Sequence, residues 1–169
     1  EYLCLIQSSG VEGLTCSVIE SRNKMEGKKG VYLAVACAIP KNSRIDEAIN
    51  KLTQVGVDRI IPMVTERVIV KIRKEKAGAR LKRWATIAES ASEQCQRMDV
   101  PVVDEPTEFK RVLEMSEGYD MKLIPALIDE RKTLRHVLDA THAQRILLLI
   151  GPEGDFTTEE LHEEKQKGF

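Results

Sequence analysis

The 169-residue sequence has few aromatic side chains, few histidines and no long apolar run. Aromatics make up 4% of the chain, so the stacking platforms of many single-strand RNA binders are not expected. The longest apolar stretch, residues 31–39, falls well short of the roughly 20 residues that a membrane helix needs. No basic-then-apolar leader opens the sequence, and we therefore expect a cytoplasmic protein without a membrane segment.

Cysteine usage excludes two further classes. None of the four cysteines lies near another at a metal-ligand spacing, and they are too scattered for a disulfide framework. The three histidines are equally scattered, so we expect reduced thiols and no metal site. The cysteines are Cys4, Cys16, Cys37 and Cys95.

Charge is balanced overall, at a net −1, but it is unevenly distributed. Seven basic residues face a single acid, Glu75, between residues 71 and 83. Such a basic stripe can contact phosphates, although charge alone favours a solvated face. Its members are Lys71, Arg73, Lys74, Lys76, Arg80, Lys82 and Arg83.

Two patterns of secondary structure follow one another along the chain. Residues 2–6 and 14–19 read as two short strands, which cannot bury a core alone, so residues 1–28 are predicted to be the remnant of a small β domain and a linker. Residues 29–169 then alternate strands and helices, which predicts an α/β domain with a mainly parallel sheet and helices on both faces. Strands are predicted at residues 31–37, 59–64, 101–103, 121–128 and 145–150, and helices after Ser43, at residues 80–97, 107–115 and 133–138, and from Thr157, with Glu160 completing a capping box.

The segment Gly151-Pro152-Glu153-Gly154 follows a strongly apolar predicted strand. In parallel sheets, ligands bind beyond the carboxyl ends of the strands, which is where this segment lies. Two glycines around a proline allow a sharp turn and let a ligand approach bare backbone. An ordinary strand-to-helix turn and a phosphate cradle are the alternatives. Glu153 and Asp155 would repel phosphate, and no Walker-type lysine follows. Two carboxylates suit a cationic ligand rich in hydroxyl and amino donors, such as S-adenosylmethionine.

Three other segments accompany this loop in a fixed order: Lys51-Leu52-Thr53-Gln54-Val55-Gly56-Val57, Thr65-Glu66-Arg67, and Glu93-Gln94-Cys95-Gln96-Arg97 followed by Pro101. Together the four segments resemble the small-subunit (16S) ribosomal RNA uracil-N3 methyltransferase family of the SPOUT superfamily, whose fold contains a trefoil knot. The resemblance implies that residues 1–28 belong to a PUA-like β-barrel that binds RNA. It also implies a homodimer acting on ribosomal RNA within a ribosomal particle.

The resemblance implies roles for particular residues. Ile150, Gly151, Pro152, Glu153 and Gly154 would bind S-adenosylmethionine. Arg67 and Arg97 would be catalytic, stabilising the uracil anion as its ring nitrogen accepts the methyl group. We expect RNA to contact these arginines together with Glu93, Gln94, Lys74, Arg80 and Lys82. Taken alone, Glu93 and Arg97 have the spacing of an ordinary surface ion pair, and Arg67 that of a solvated arginine at a strand end.

Two departures from the family pattern stand out. Asp155 occupies a position where the family usually has a second glycine. The sequence ends at Phe169, whereas the family continues with a strand, a second loop and a helix that thread the knot, so the domain over residues 29–169 is expected to be incomplete. The alternatives are a non-catalytic knotted RNA-binding or assembly module and a nucleotide-binding α/β enzyme.

Overall fold

The computed structural model describes residues 2–11, 13–21, 30–40, 44–68, 74–125, 132–140 and 142–169. The chain divides into two compact units, Glu1–Gly30 and Val31–Phe169. In the first unit, strands β1 (Tyr2–Gly10) and β2 (Gly13–Ser21) form an antiparallel hairpin with two register shifts. Both predicted strands are confirmed and are longer than expected. The hairpin side chains are almost all exposed, and a lone hairpin is marginally stable in water.

The second unit contains a parallel sheet made of β3 (Tyr32–Ala38), β4 (Arg59–Val64), β5 (Val102–Val103), β6 (Thr107–Glu108), β7 (Met121–Leu123) and β8 (Arg145–Ile150). Neighbouring strands follow the order β5-β4-β3-β8-β7, and β6 also pairs with β4. All of its pairings are parallel. The predicted parallel sheet is therefore confirmed.

Helices pack on both faces of this sheet. Because successive side chains of a strand point to opposite faces, those of β3 enter two separate cores. Ala34 and Ala36 lie in one core with Val112 of helix α3 (Phe109–Met115), whereas Val35 lies in the other with Ile49 of α1 (Arg44–Gln54) and Trp84 of α2 (Lys74–Gln94). The helices are α1 (Arg44–Gln54), α2 (Lys74–Gln94), α3 (Phe109–Met115), α4 (Leu134–Asp139) and α5 (Thr158–Gln166).

Several predicted boundaries differ from the observed ones. Helix α2 begins at Lys74 and ends at Gln94, so Arg97 lies in the following loop rather than in the helix. Helix α3 begins only at Phe109, because residues 107–108 extend the sheet beside β4. The predicted helix cap at Ser43 and part of the predicted strand at residues 121–128 lie outside the described residues.

Helix α5 contains a buried carboxyl group, that of Glu164. Glu164 is 1% exposed, and within the described part of the chain no hydrogen bond reaches either of its carboxyl oxygens. Burial, with the nearby negative charges of Glu160 and Asp155, raises the pKa of Glu164 from its ordinary value of 4.5 to about 8. Between these values the folded chain binds more protons than the unfolded chain, so stability falls as pH rises through this window.

Replacing Glu164 with glutamine should therefore stabilise the protein in a pH-dependent way. At pH 8 we expect the free energy of unfolding to rise by roughly 1–3 kcal/mol, because the variant has no carboxylate to ionise. At pH 5, where the wild-type group is protonated, the two proteins should be nearly equal. Urea unfolding at both pH values measures the difference. Glu159→Gln, on the exposed side of the same helix, is the control, and an equal effect of Glu164→Gln at both pH values would contradict the account.

Candidate active site

The loop after β8 is held in a tight turn by its own backbone. The amide of Asp155 donates to the carbonyl of Pro152 at 2.9 Å, and the Asp155 backbone has a positive φ of 59°. Aspartate tolerates this left-handed conformation better than most residues because its short side chain bonds locally. Here Asp155 Oδ1 accepts a hydrogen bond from the amide of Phe156 at 2.9 Å. An aspartate thus adopts the conformation for which glycine is the usual residue.

The two glycines of the loop serve different purposes. A Cβ atom on Gly151 would lie 2.8 Å from Cε2 of Phe156, so only glycine fits beside that ring. Phe156 is buried and packs on Phe109 with 5.8 Å between ring centroids, which anchors the loop to the core. A Cβ atom on Gly154 would meet only Cδ of Arg67, at an ordinary 3.6 Å. Gly154 is exposed, and its backbone is open to a ligand.

The turn after β4 lies against this loop. Nη1 of Arg67 donates to the carbonyl oxygen of Gly154 and makes a longer contact of 3.5 Å with that of Asp155. The amide of Glu66 donates to Oε1 of Glu160, on helix α5, at 2.9 Å. The structure therefore brings two of the four motif segments together at the carboxyl edge of the sheet. The sequence did not signal the contact between Glu66 and Glu160.

The predicted capping box of α5 is confirmed. Oγ1 of Thr157 accepts from the amide of Glu160 at 3.2 Å, and Oε2 of Glu160 accepts from the amide of Thr157 at 3.0 Å. The hydroxyl of Thr157 also approaches Oε2 of Glu66 at 3.5 Å. Helix α5 thus starts from a side-chain network shared with the turn after β4.

Arg97 does not lie with Arg67 beside the Gly151–Gly154 loop. Its Nη1 donates to the carbonyl of Thr53 at 2.9 Å, and its Nη2 lies 3.5 Å from Asp99 and 3.9 Å from Asp58. Its side chain is only 13% exposed. Because Asp58 precedes β4 and Arg67 follows it, the two arginines lie at opposite ends of that strand. Within one chain, the geometry gives Arg97 the role of tying α1 to the loop before β4, and does not place it beside Gly154.

The other predicted RNA-contacting residues lie along α2, which runs antiparallel to β4 because it leads from the end of β4 to β5, beside its start. Arg80 is half-buried and Lys82 is exposed, both in the half of α2 nearer the carboxyl edge. Glu93 and Gln94 are exposed at the far end, near Arg97. The side chain of Lys74 lies outside the described set.

A cavity of about 600 Å³ lies at the opposite, amino edge of the sheet. Its three arginines and Asp104 already have partners within the chain. Arg59 binds Asp104 through Nη2 at 2.7 Å and Nε at 3.1 Å, and the guanidinium of Arg145 stacks 4.6 Å above the ring of Tyr32. Asp104 and the guanidinium groups form a structural network, and the cavity is remote from the Gly151–Gly154 loop.

Among the described residues, no group of three histidine, cysteine, aspartate or glutamate side chains could hold a metal ion, and no described helix is long and apolar enough to cross a membrane.

Comparison with known proteins identifies the family. A family model described as an RNA methyltransferase domain matches residues 28–169. The ribosomal RNA small subunit methyltransferase E of Bacillus subtilis is 29% identical over 95% of this chain and 64% of its own length. That of Mesomycoplasma hyopneumoniae is 31% identical over 85% of this chain and 60% of its own length. The chain thus spans less than two thirds of these curated relatives.

Comparison with solved structures supports the same family. A putative methyltransferase of Legionella pneumophila, in complex with the bound cofactor SAM, superposes with a TM-score of 0.82 at 29% identity, over 99% of this chain and 67% of that one. A ribosomal RNA small subunit methyltransferase E of Neisseria gonorrhoeae, bound to S-adenosyl methionine, gives a TM-score of 0.73 at 30% identity, over 82% and 56%. The chain therefore belongs to the RNA methyltransferase family that includes the ribosomal RNA small subunit methyltransferases E.

Proposed function

We propose that this chain belongs to an S-adenosylmethionine-dependent methyltransferase of the trefoil-knot type, which methylates N3 of a uridine in small-subunit ribosomal RNA. The observation that carries the proposal is the open backbone of Gly154 at the carboxyl edge of the sheet, with Arg67 lying on it. We further propose that the protein is a cytoplasmic homodimer that acts on a ribosomal particle.

The chemistry of the loop fits the cofactor. Residues 150–154 present backbone and one exposed carboxylate, that of Glu153, and Asp155 adds a second acidic group. This environment favours a ligand that carries a positive charge and amino and hydroxyl donors, and it disfavours a nucleoside triphosphate. Bound there, S-adenosylmethionine would supply an electrophilic methyl group on a sulfonium.

Arg67 is the residue best placed to assist the transfer. Its Nη1 is bound to the loop, so the guanidinium lies beside the proposed cofactor site and remains exposed on the other side. In the transfer, N3 of uracil would bond to the methyl carbon as the carbon–sulfur bond breaks, S-adenosylhomocysteine would leave, and the proton of N3 would pass to water. A fixed positive charge next to the ring would stabilise the negative charge that develops. Fixing the base in line with the methyl group would supply further acceleration.

The part of the basic stripe that lies on the first half of α2 would contact the RNA backbone. Arg80 and Lys82 lie in the half of the helix near the carboxyl edge, the side on which the proposed cofactor loop opens. Phosphate contacts of this kind fix the position of an RNA and carry little sequence information. The stripe would therefore determine affinity, while the residues around Gly154 determine which base reacts.

The cofactor site is tested by Gly154→Val. A side chain there fits the fold, since its first atom would make only an ordinary contact with Arg67, but it would occupy the space of the ligand. We expect calorimetry on the full-length protein to show no binding of S-adenosylhomocysteine, with an unchanged circular dichroism spectrum. Gly30→Val, which also enters open space, is the control. An affinity within twofold of wild type would refute the assignment, and a wild-type protein that binds RNA but not S-adenosylhomocysteine would support the non-catalytic module.

The RNA surface is tested by changing Lys74, Arg80 and Lys82 together to glutamine. Each lost phosphate contact should lower the slope of log affinity against log salt by about 0.7–0.9, so the slope should fall by roughly two to three units. Filter binding of ribosomal RNA at several salt concentrations measures it. The matched control removes three charges from the other side of the sheet, at Lys110, Arg111 and Lys165. Equal slopes for the two triple variants would show that the stripe is only a solvated face.

A further inference from the structure

Glu160 is a buried carboxylate whose two oxygens bind different parts of the chain. The residue is 7% exposed. Its Oε2 accepts from the amide of Thr157, at the end of the proposed cofactor loop, at 3.0 Å. Its Oε1 accepts from the amide of Glu66, in the turn that carries Arg67, at 2.9 Å. Capping α5 requires only the first of these bonds. The second joins segments that are 94 residues apart.

Two further contacts join the same segments. Nη1 of Arg67 donates to the carbonyl oxygen of Gly154, and the hydroxyl of Thr157 approaches Oε2 of Glu66 at 3.5 Å. The turn and the loop are therefore linked at both ends of residues 154–160. Because the links close a ring, a displacement of the loop must displace the guanidinium of Arg67, and the converse also holds.

We infer that Glu160 is a positioning residue that couples cofactor binding to RNA binding by locking the cofactor loop onto the turn that carries Arg67. The inference rests on the proposed function, since it takes residues 150–154 as the cofactor site and Arg67 as an RNA contact. A ligand that holds the loop in this arrangement also fixes Arg67 for RNA. Thermodynamic linkage then requires that RNA tighten cofactor binding by the same factor.

The substitution Glu160→Gln separates the two bonds. A glutamine at this position of a capping box still caps the helix through its amide oxygen. Its amide nitrogen, a donor, would then face the Glu66 amide, also a donor, so the link to the turn is lost while the cap remains. Glu159→Gln makes the same chemical change at the exposed neighbouring position and is the matched control. Glu160→Asp, which is one methylene shorter and cannot span both partners, is the second variant in case Glu160→Gln does not fold.

The experiment measures the dissociation constant of a ribosomal RNA fragment from the full-length protein, with and without saturating S-adenosylhomocysteine. In wild type and in Glu159→Gln we expect the cofactor product to tighten RNA binding about fivefold or more, within the usual range for coupled sites. In Glu160→Gln and Glu160→Asp the ratio should fall towards one, while S-adenosylhomocysteine still binds. A purely structural role for Glu160 would weaken both ligands and leave the ratio unchanged.

The outcomes separate the two proposals. If wild type binds both ligands and the ratio survives in the Glu160 variants, the positioning role is refuted and the proposed function stands. If wild type binds both ligands independently, the coupling is refuted, and the proposed function again stands. If wild type binds no S-adenosylhomocysteine, the proposed function fails, and the inference fails with it.

Discussion

The position of strand β3 between β4 and β8 determines where the candidate site forms. Both pairings are parallel, and Cys37 of β3 stands opposite Pro62 on one side and Ile150 on the other. The carboxyl ends of the three strands therefore lie at one level, and the segments that follow β4 and β8 emerge side by side. Three alanines on one face of β3 share a buried core with Phe156 and with Val112 of α3. The contact between Arg67 and Gly154 depends on this arrangement.

Helix α5 contains two buried glutamates with opposite circumstances. Glu160 receives backbone hydrogen bonds at both oxygens, which satisfies a buried carboxyl group whose hydrogen-bond partners among the described residues are backbone amides. Glu164, one turn further on, receives none within the described residues, and its pKa rises to about 8. Burial of a carboxyl group is costly unless its charge is compensated. The contrast indicates that the charge of Glu160 serves the junction of loop and turn, whereas Glu164 opposes stability near neutral pH.

Much of this architecture could be predicted from local patterns. Alternating strands and helices predicted the parallel sheet, and the spacing of Thr157 and Glu160 predicted the capping box, because both depend on near neighbours in sequence. The bond between Glu66 and Glu160 could not be predicted in this way, since it depends on the order of strands in the sheet. The packing role of Gly151 was missed for a similar reason, because it requires knowledge of the position of Phe156. The spacing of Glu93 and Arg97 gave no indication that Arg97 bonds to the end of α1.

The contact between the loop of residues 151–154 and the turn that carries Arg67 is central to the candidate site. A crystal structure of the full-length protein with S-adenosylhomocysteine tests it most directly. We expect the ligand to lie against the backbone of residues 151–154, with Arg67 still bound to the carbonyl of Gly154. Density for the ligand in the cavity beside Arg59 and Arg145, or a displaced Arg67 when the loop is occupied, would contradict it.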